Sequence, residues 1–147
     1  MTAVSDAGLA GLADTVLKLA AKLDIRSPAL RDVIPLTGTE IAVMREIHQL
    51  DRPSPSQIAD ATGLQRSNVS TALRNLEARG LVVRQHSAGD ARAIELIATP
   101  LAGEILQRIH DYWVTRLRAL PPTLQAEGVA AVDVLARIAS VLSEQGA

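Results

Sequence analysis

Residues 54–97 read SPSQIADATGLQRSNVSTALRNLEARGLVVRQHSAGDARAIELI, and this stretch decides the fold. It opens on Ser54-Pro55-Ser56-Gln57, a pattern typical of a helix start, because serine can cap, proline suits the first helical position and glutamine can complete a capping box. Gly63 ends this first helix, since glycine tolerates the left-handed backbone of a sharp turn. The segment therefore predicts a short helix and a tight turn.

A second helix is predicted over residues 65–79. Val69, Leu73 and Leu76 recur there at spacings of four and three, so they form one buried stripe. Gly80 is a natural helix stop. Taken alone, the two helices fit an ordinary helical hairpin as well as a helix-turn-helix.

A short β-ribbon follows the second helix. Residues 81–86 (LVVRQH) are rich in β-branched side chains, residues 87–90 (SAGD) are typical of a turn, and residues 93–97 (AIELI) alternate as a half-exposed strand does. A hairpin placed directly after a groove-sized helix is a wing. We therefore predict a winged helix-turn-helix core in a mainly α fold, with the second helix shaped for the major groove of B-DNA.

Further helices flank this core. Apolar residues recur at helical spacing over residues 6–25, and a linker over 28–35 follows. A capping-box pattern opens a helix over 37–50. After the wing, helices are predicted over 99–120 and 123–143. We expect an N-terminal dimerisation helix and linker (1–35), a DNA-binding lobe (36–98) and C-terminal dimerisation helices (99–147), because the outer helices carry more apolar surface than a small winged domain can cover.

The composition narrows the class of protein. The 147 residues suit one compact domain or one half of a dimer, and the chain is 48% hydrophobic but 1% aromatic, so aliphatic side chains must fill its core. No apolar run reaches membrane-spanning length, there is no secretory pattern, and cysteine is absent, which together predict a cytoplasmic protein. The net charge is −1, yet residues 65–92 hold five arginines and two acids. This distribution indicates one DNA-facing surface, with chance clustering as the alternative.

Four segments carry a resemblance to a known family: Leu36–Glu40 with the helix that follows it, Leu73–Val82, Gly89–Arg92 and Ile97–Gly103. In this order and spacing they resemble the MarR family of bacterial transcription regulators. The resemblance implies a homodimer on a palindromic operator and a repressor released by a small aromatic or phenolic ligand. The wing departs from the family pattern, with alanines on either side of Arg92.

Candidate DNA contacts follow from position. Side chains near the start of the second helix can reach base edges, arginines can reach phosphates, and the amide groups at the start of the preceding helix can bind a phosphate. Each Ser or Thr could equally be a solvated or capping residue. The candidates are Ser54, Ser56, Arg66, Ser67, Asn68, Ser70, Thr71, Arg74, Arg84 and Arg92. Asp90 would repel phosphate, so we expect it to structure the wing instead.

An effector pocket is implied only by the resemblance. It would lie between the dimer helices and the DNA-binding lobe, where the sequence offers Arg45, His48, His110 and Trp113. Trp113 stands in an apolar helical stripe, so core packing is its competing role. The histidines have no short ligand spacing, and we predict neither a metal site nor a cofactor.

Two other classes of function compete with DNA-dependent regulation. The sequence has no glycine-rich phosphate loop and no nucleophile motif, so we predict that the protein is not an enzyme. A winged helix that binds another protein, and an architectural DNA-binding protein, remain the alternatives. Salt-sensitive, sequence-dependent binding to duplex DNA separates a sequence-specific regulator from both.

Overall fold

The computed structural model describes residues 4–24 and 35–145. The chain divides into two compact units, Met1–Pro35 and Leu36–Ala147. In the first unit, helix α1 spans Asp6–Lys22 and is capped by Ser5, whose hydroxyl accepts a hydrogen bond from the N–H of Gly8. The helix predicted over residues 6–25 is therefore present. Ile25 and most of the linker predicted over 28–35 lie outside the described residues.

The second unit has the element order of a winged helix. Three helices precede a two-stranded antiparallel sheet in which Val82 pairs with Ala98 and Arg84 with Leu96, and further helices follow it. The predicted fold class is confirmed. The elements are α2 (Gly38–Gln49), α3 (Pro55–Thr62), α4 (Arg66–Ala78), β1 (Val82–Ser87), β2 (Asp90–Ala98), α5 (Pro100–Arg118), α6 (Pro122–Ala130) and α7 (Val132–Gln145).

Local side-chain caps fix where these helices begin. Thr37 and Glu40 form a complete capping box at α2, and Ser54 and Gln57 form another at α3. The Thr99 hydroxyl accepts from the N–H of Ala102 at the start of α5. Each cap satisfies backbone donors that a helix leaves unpaired in its first turn.

The core is aliphatic and lies between α2, α3, α4, the base of the wing and the first half of α5. The predicted stripe of Val69, Leu73 and Leu76 is buried, with at most 1% exposure. The other members of the core are Leu36, Ile41, Val43, Met44, Ile47, Ile58, Ala59, Ala72, Leu81, Val82, Leu96, Ala102, Leu106 and Ile109.

The single helix predicted over 123–143 is wrong, because the structure breaks it into α6 and α7 at Ala131. The N–H of Ala131 donates to the carbonyls of Glu127 and Gly128, which tightens the final turn of α6. Gly128 lies in that turn, and glycine is a poor helix former. The apolar spacing continues through the break, so periodicity does not reveal it.

Within residues 4–24 and 35–145, no helix combines the length and the apolar character that crossing a membrane requires.

Candidate nucleic-acid interface

Helix α4 presents a polar, cationic face to solvent. Gly63 adopts the left-handed conformation with φ of 68°, and this turn sends the chain into α4. Opposite the buried stripe, the side chains predicted to meet DNA are exposed: Arg66, Ser67, Asn68, Ser70, Thr71 and Arg74. Arg74 Nη2 donates to Thr71 Oγ1 at 3.4 Å. Aliphatic packing on one side therefore turns a row of hydrogen-bonding groups outward on the other.

The two serines at the start of α3 differ in their surroundings. Ser54 is half-buried, and its hydroxyl accepts from the N–H of Gln57 at 3.2 Å while its own N–H donates to Gln57 Oε1 at 2.8 Å. Its hydroxyl thus serves the cap. Ser56 is exposed in the first turn of α3. Of the two, Ser56 is the better placed for a phosphate.

The wing tip is organised by Asp90. Its carboxylate accepts a hydrogen bond from the N–H of Arg92 at 2.9 Å. Gly89, with φ of 115°, makes the tight turn that needs a residue without a Cβ. The sequence pattern assigns Asp90 to the turn, but in the structure it opens strand β2. Arg92 is exposed next to this tip.

The base of the wing is fastened to the exit of α4. The Thr99 hydroxyl donates to the carbonyl of Gly80 at 2.8 Å, and the Thr99 N–H donates to the carbonyl of Leu81 at 3.0 Å. On the other side, the N–H of Leu96 donates to the carbonyl of Pro53 in the loop before α3. These bonds join the wing, helix α4 and the loop before α3 into one lobe.

Arg84, predicted to contact phosphate, is paired within the lobe. Its Nε donates to both carboxylate oxygens of Glu77 at 2.9 Å, and the two side chains are 35% and 29% exposed. Arg84 therefore links β1 to the end of α4. Sequence reasoning missed Glu77, because the partners lie seven residues apart across a helix end and a strand start.

A second ion pair holds the loop before α3. Arg52 has a positive φ of 47°, unusual for a residue with a side chain. Its Nη1 lies 3.3 Å from Glu95 Oε2 in β2.

Behind α4 lies a buried polar link that the sequence did not indicate. Glu40 is 4% exposed, and its Oε1 accepts from Asn75 Nδ2 at 2.9 Å. Its Oε2 accepts from the N–H of Thr37 at 2.9 Å. The capping-box pattern predicts the contact with Thr37. The contact with Asn75 joins residues 35 positions apart and has no local signature.

Three of the four proposed effector residues meet. The guanidinium carbon of Arg45 lies 5.2 Å from the Trp113 ring centroid, and the His110 ring lies 5.8 Å from it. Arg45 Nε is buried and has no hydrogen-bond partner among the described residues. Trp113 is half-buried between α2 and solvent rather than sealed in the core.

His48 stands apart from that group. It lies against Gly103, where an added Cβ would come within 3.6 Å of its Cε1. It also lines an open cavity of about 220 Å³ between the end of α2 and strand β2. In the part of the chain that the structure describes, no three His, Cys, Asp or Glu residues are grouped to hold a metal ion.

A family model matches the central part of the chain. Residues 34–93, which include α2, α3, α4 and the wing tip, match the model described as the MarR family. This segment of the chain is therefore similar to the MarR family. Proteins of this family are transcription regulators rather than enzymes. The resemblance drawn from the sequence is confirmed.

Solved structures with a similar fold match most of the chain. NadR in complex with 4-hydroxyphenylacetate has a TM-score of 0.71 and 19% identity over 95% of this chain and 96% of its own. MarR has a TM-score of 0.68 and 19% identity over 90% and 97%. Streptococcus pneumoniae FabT in complex with DNA has a TM-score of 0.62 and 21% identity over 91% and 94%. These likenesses show the shared fold.

Proposed function

We propose that this protein is a sequence-specific double-stranded DNA-binding transcriptional regulator. The observation that carries the proposal is the exposed polar face of α4, backed by a buried stripe and flanked by a wing. A helix of this kind fits the major groove, and an adjacent arginine at a wing tip suits a phosphate or a minor groove. Such a regulator works on the chromosome, so its expected location is the cytoplasm.

Within the interface the residues divide by chemistry. Asn68 can pair with adenine through two hydrogen bonds, so it reads sequence, and Ser67, Ser70 and Thr71 make less selective contacts. Arg66, Arg74 and Arg92 add the positive charge that attracts phosphates. Phosphate contacts set the position of the lobe, and base contacts set its preference.

A homodimer is the proposed assembly, with residues 36–98 binding DNA and the terminal segments joining the protomers. Helix α7 has no buried residue in the single chain. Its apolar residues Val132, Leu135 and Ile138 are 56%, 39% and 37% exposed. An apolar face of this extent favours a partner surface. Two-fold symmetry then matches a palindrome with half-sites about one helical turn apart.

The same assembly is proposed to act as a repressor released by a small aromatic acid. Arg45 stacks on Trp113 and keeps a buried Nε without a partner among the described residues, an arrangement that suits a carboxylate next to an aromatic ring. NadR, of the same fold, was solved with 4-hydroxyphenylacetate. A ligand that binds better to a dimer whose two α4 helices are spaced unsuitably for the operator would shift the dimer away from DNA.

Selection of bound duplexes from a random pool, at near-physiological salt, tests DNA recognition. We expect an enriched palindrome, and binding to it that weakens steeply as salt rises. A folded protein that enriches nothing would refute the proposal. In that case, duplex binding without preference indicates an architectural protein, and no duplex binding indicates a protein-interaction module.

Calorimetry with 4-hydroxyphenylacetate and its uncharged methyl ester tests the effector. We expect the acid to bind and to lower operator affinity, and the ester to do neither. Arg45→Gln should remove the response to the acid while leaving operator affinity unchanged. Binding of acid and ester alike would refute the role of Arg45.

Sedimentation tests the dimer. Ile138→Glu places a charge on the apolar face of α7, and we expect monomers at micromolar concentration. Ile138→Val keeps the face apolar and should remain dimeric. A monomeric wild-type protein that still enriches a palindrome would contradict the assembly.

A further inference from the structure

The buried carboxylate of Glu40 holds the flank of α4 that faces α2. One oxygen accepts from the Thr37 N–H and the other from Asn75 Nδ2, both at 2.9 Å. Asn75 is exposed as a residue, but its amide is committed to this contact. A buried carboxylate that loses a donor stays desolvated without compensation, so breaking this contact is costly. Because a hydrogen bond is directional, the contact also favours one rotation of α4 about its axis.

The apolar packing of α4 does not fix its rotation in the same way. Val69, Leu73 and Leu76 are aliphatic side chains, and contacts between such surfaces depend weakly on angle. A helix with its side chains has a radius of about 5–6 Å, so a rotation of ~10° moves a side-chain tip by ~1 Å. A shift of that size is enough to spoil a base hydrogen bond.

Asn68 lies on the same flank as Asn75, two turns earlier along α4. Any rotation that the Glu40 contact prevents would therefore move Asn68 relative to the base edges. Arg66 and Arg74 would still reach phosphates, because phosphate contacts tolerate displacement better than paired hydrogen bonds do.

We propose that the hydrogen bond between Glu40 and Asn75 sets the rotation of α4 in the major groove, which makes both of them positioning residues for sequence recognition. The inference rests on the proposed function. It predicts that breaking the bond lowers discrimination between sequences and leaves general DNA affinity in place.

The test exchanges the two functional groups. Asn75→Asp alone sets two carboxylates against each other and breaks the bond. In the double variant Glu40→Gln/Asn75→Asp, the oxygen of the introduced glutamine can accept from the Thr37 N–H while its amide donates to the introduced aspartate, so both hydrogen bonds return. The two variants carry the same new charge on α4, and the double variant is therefore the matched control for it.

Affinity is measured on the selected palindrome and on a scrambled duplex, with thermal melting alongside. We expect Asn75→Asp to bind the palindrome more weakly by about tenfold for each half-site, comparable with the loss of one base contact there. On the scrambled duplex Asn75→Asp and the double variant should bind alike, since the charge that both add to α4 affects general affinity equally. The double variant should recover the palindrome affinity to within about threefold of wild type.

A further variant controls for misfolding of Asn75→Asp. Glu40→Gln/Asn75→Leu buries no carboxylate and lacks the link, so it tests the same loss of discrimination if Asn75→Asp does not fold. Its palindrome affinity should fall while its scrambled affinity holds.

Two results would overturn the inference. The first is equal loss on both duplexes in the variants that lack the link, and the second is a double variant Glu40→Gln/Asn75→Asp as weak as Asn75→Asp. A wild-type protein without sequence preference would overturn the proposed function, and the inference with it. A wild type that discriminates, together with an unrestored exchange, overturns the inference alone.

Discussion

Arg84 can stabilise the wing and contact DNA at the same time. The variant Arg84→Ala measures its contribution to stability and to DNA affinity separately. Its Nε is held by Glu77 at 2.9 Å, but the donors on its two Nη atoms are further out on the guanidinium. We expect these donors to meet a phosphate while Nε keeps the ion pair. The variant should therefore lose DNA affinity in a salt-dependent way.

The magnitude follows from counterion release. One phosphate contact contributes about 0.9 to the slope of log affinity against log salt, so a dimer that loses two contacts loses about 1.8. Between about 50 and 200 mM salt, the ratio of wild-type to variant affinity should then fall by about twelvefold. The stability effect is smaller, at most about 1 kcal/mol, because both side chains are about a third exposed.

The assay is fluorescence anisotropy of a labelled palindrome over that salt range, with urea unfolding in parallel. Arg108→Ala removes a positive charge from an exposed position of α5 and should leave the slope unchanged. Glu77→Gln should raise affinity for every duplex, because it removes a negative charge near the phosphates. If Arg84→Ala costs stability but does not alter the slope, Arg84 only ties the wing to α4 and the phosphate contact is refuted.

Three further outcomes are expected. Arg92→Ala should weaken binding to palindrome and scrambled duplex alike, whereas Asn68→Ala should cost about 1–3 kcal/mol of discrimination in each half-site; equal loss on both duplexes for Asn68→Ala would contradict this division. Arg52→Gly and Arg52→Ala both lose the Glu95 pair, but glycine suits the positive φ, so urea unfolding should show the glycine variant to be more stable by about 1 kcal/mol; a more stable alanine variant would show that the backbone there is unstrained. Thr99→Ala should lower the free energy of unfolding by about 1 kcal/mol, and a thermal melt matching wild type would show that the α5 cap contributes nothing.

Local chemistry in the sequence predicted the helix starts and the wing. The capping boxes at Thr37 and Ser54 each join residues three positions apart, so they can be recognised from the sequence alone. The buried stripe of α4 was predicted for the same reason, because helical spacing alone determines it. The site residues stay predictions, since their role depends on DNA.

Contacts between distant segments escaped sequence reasoning. Nothing in the neighbourhood of Asn75 indicates Glu40, and nothing near Arg84 marks Glu77 as its partner. The break at Ala131 was missed for a different reason: a single poor helix former inside a continuing apolar pattern weakens a helix without altering its periodicity.

The position of Trp113 gives the protein a built-in optical probe. It is the only tryptophan in the chain, and there is no phenylalanine and one tyrosine. Its indole lies near both the Arg45 guanidinium and the His110 ring, two groups whose displacement would change its surroundings. Its emission therefore comes from one site, so arrival of a small molecule at Arg45 can be followed in unlabelled protein and timed against the departure of DNA.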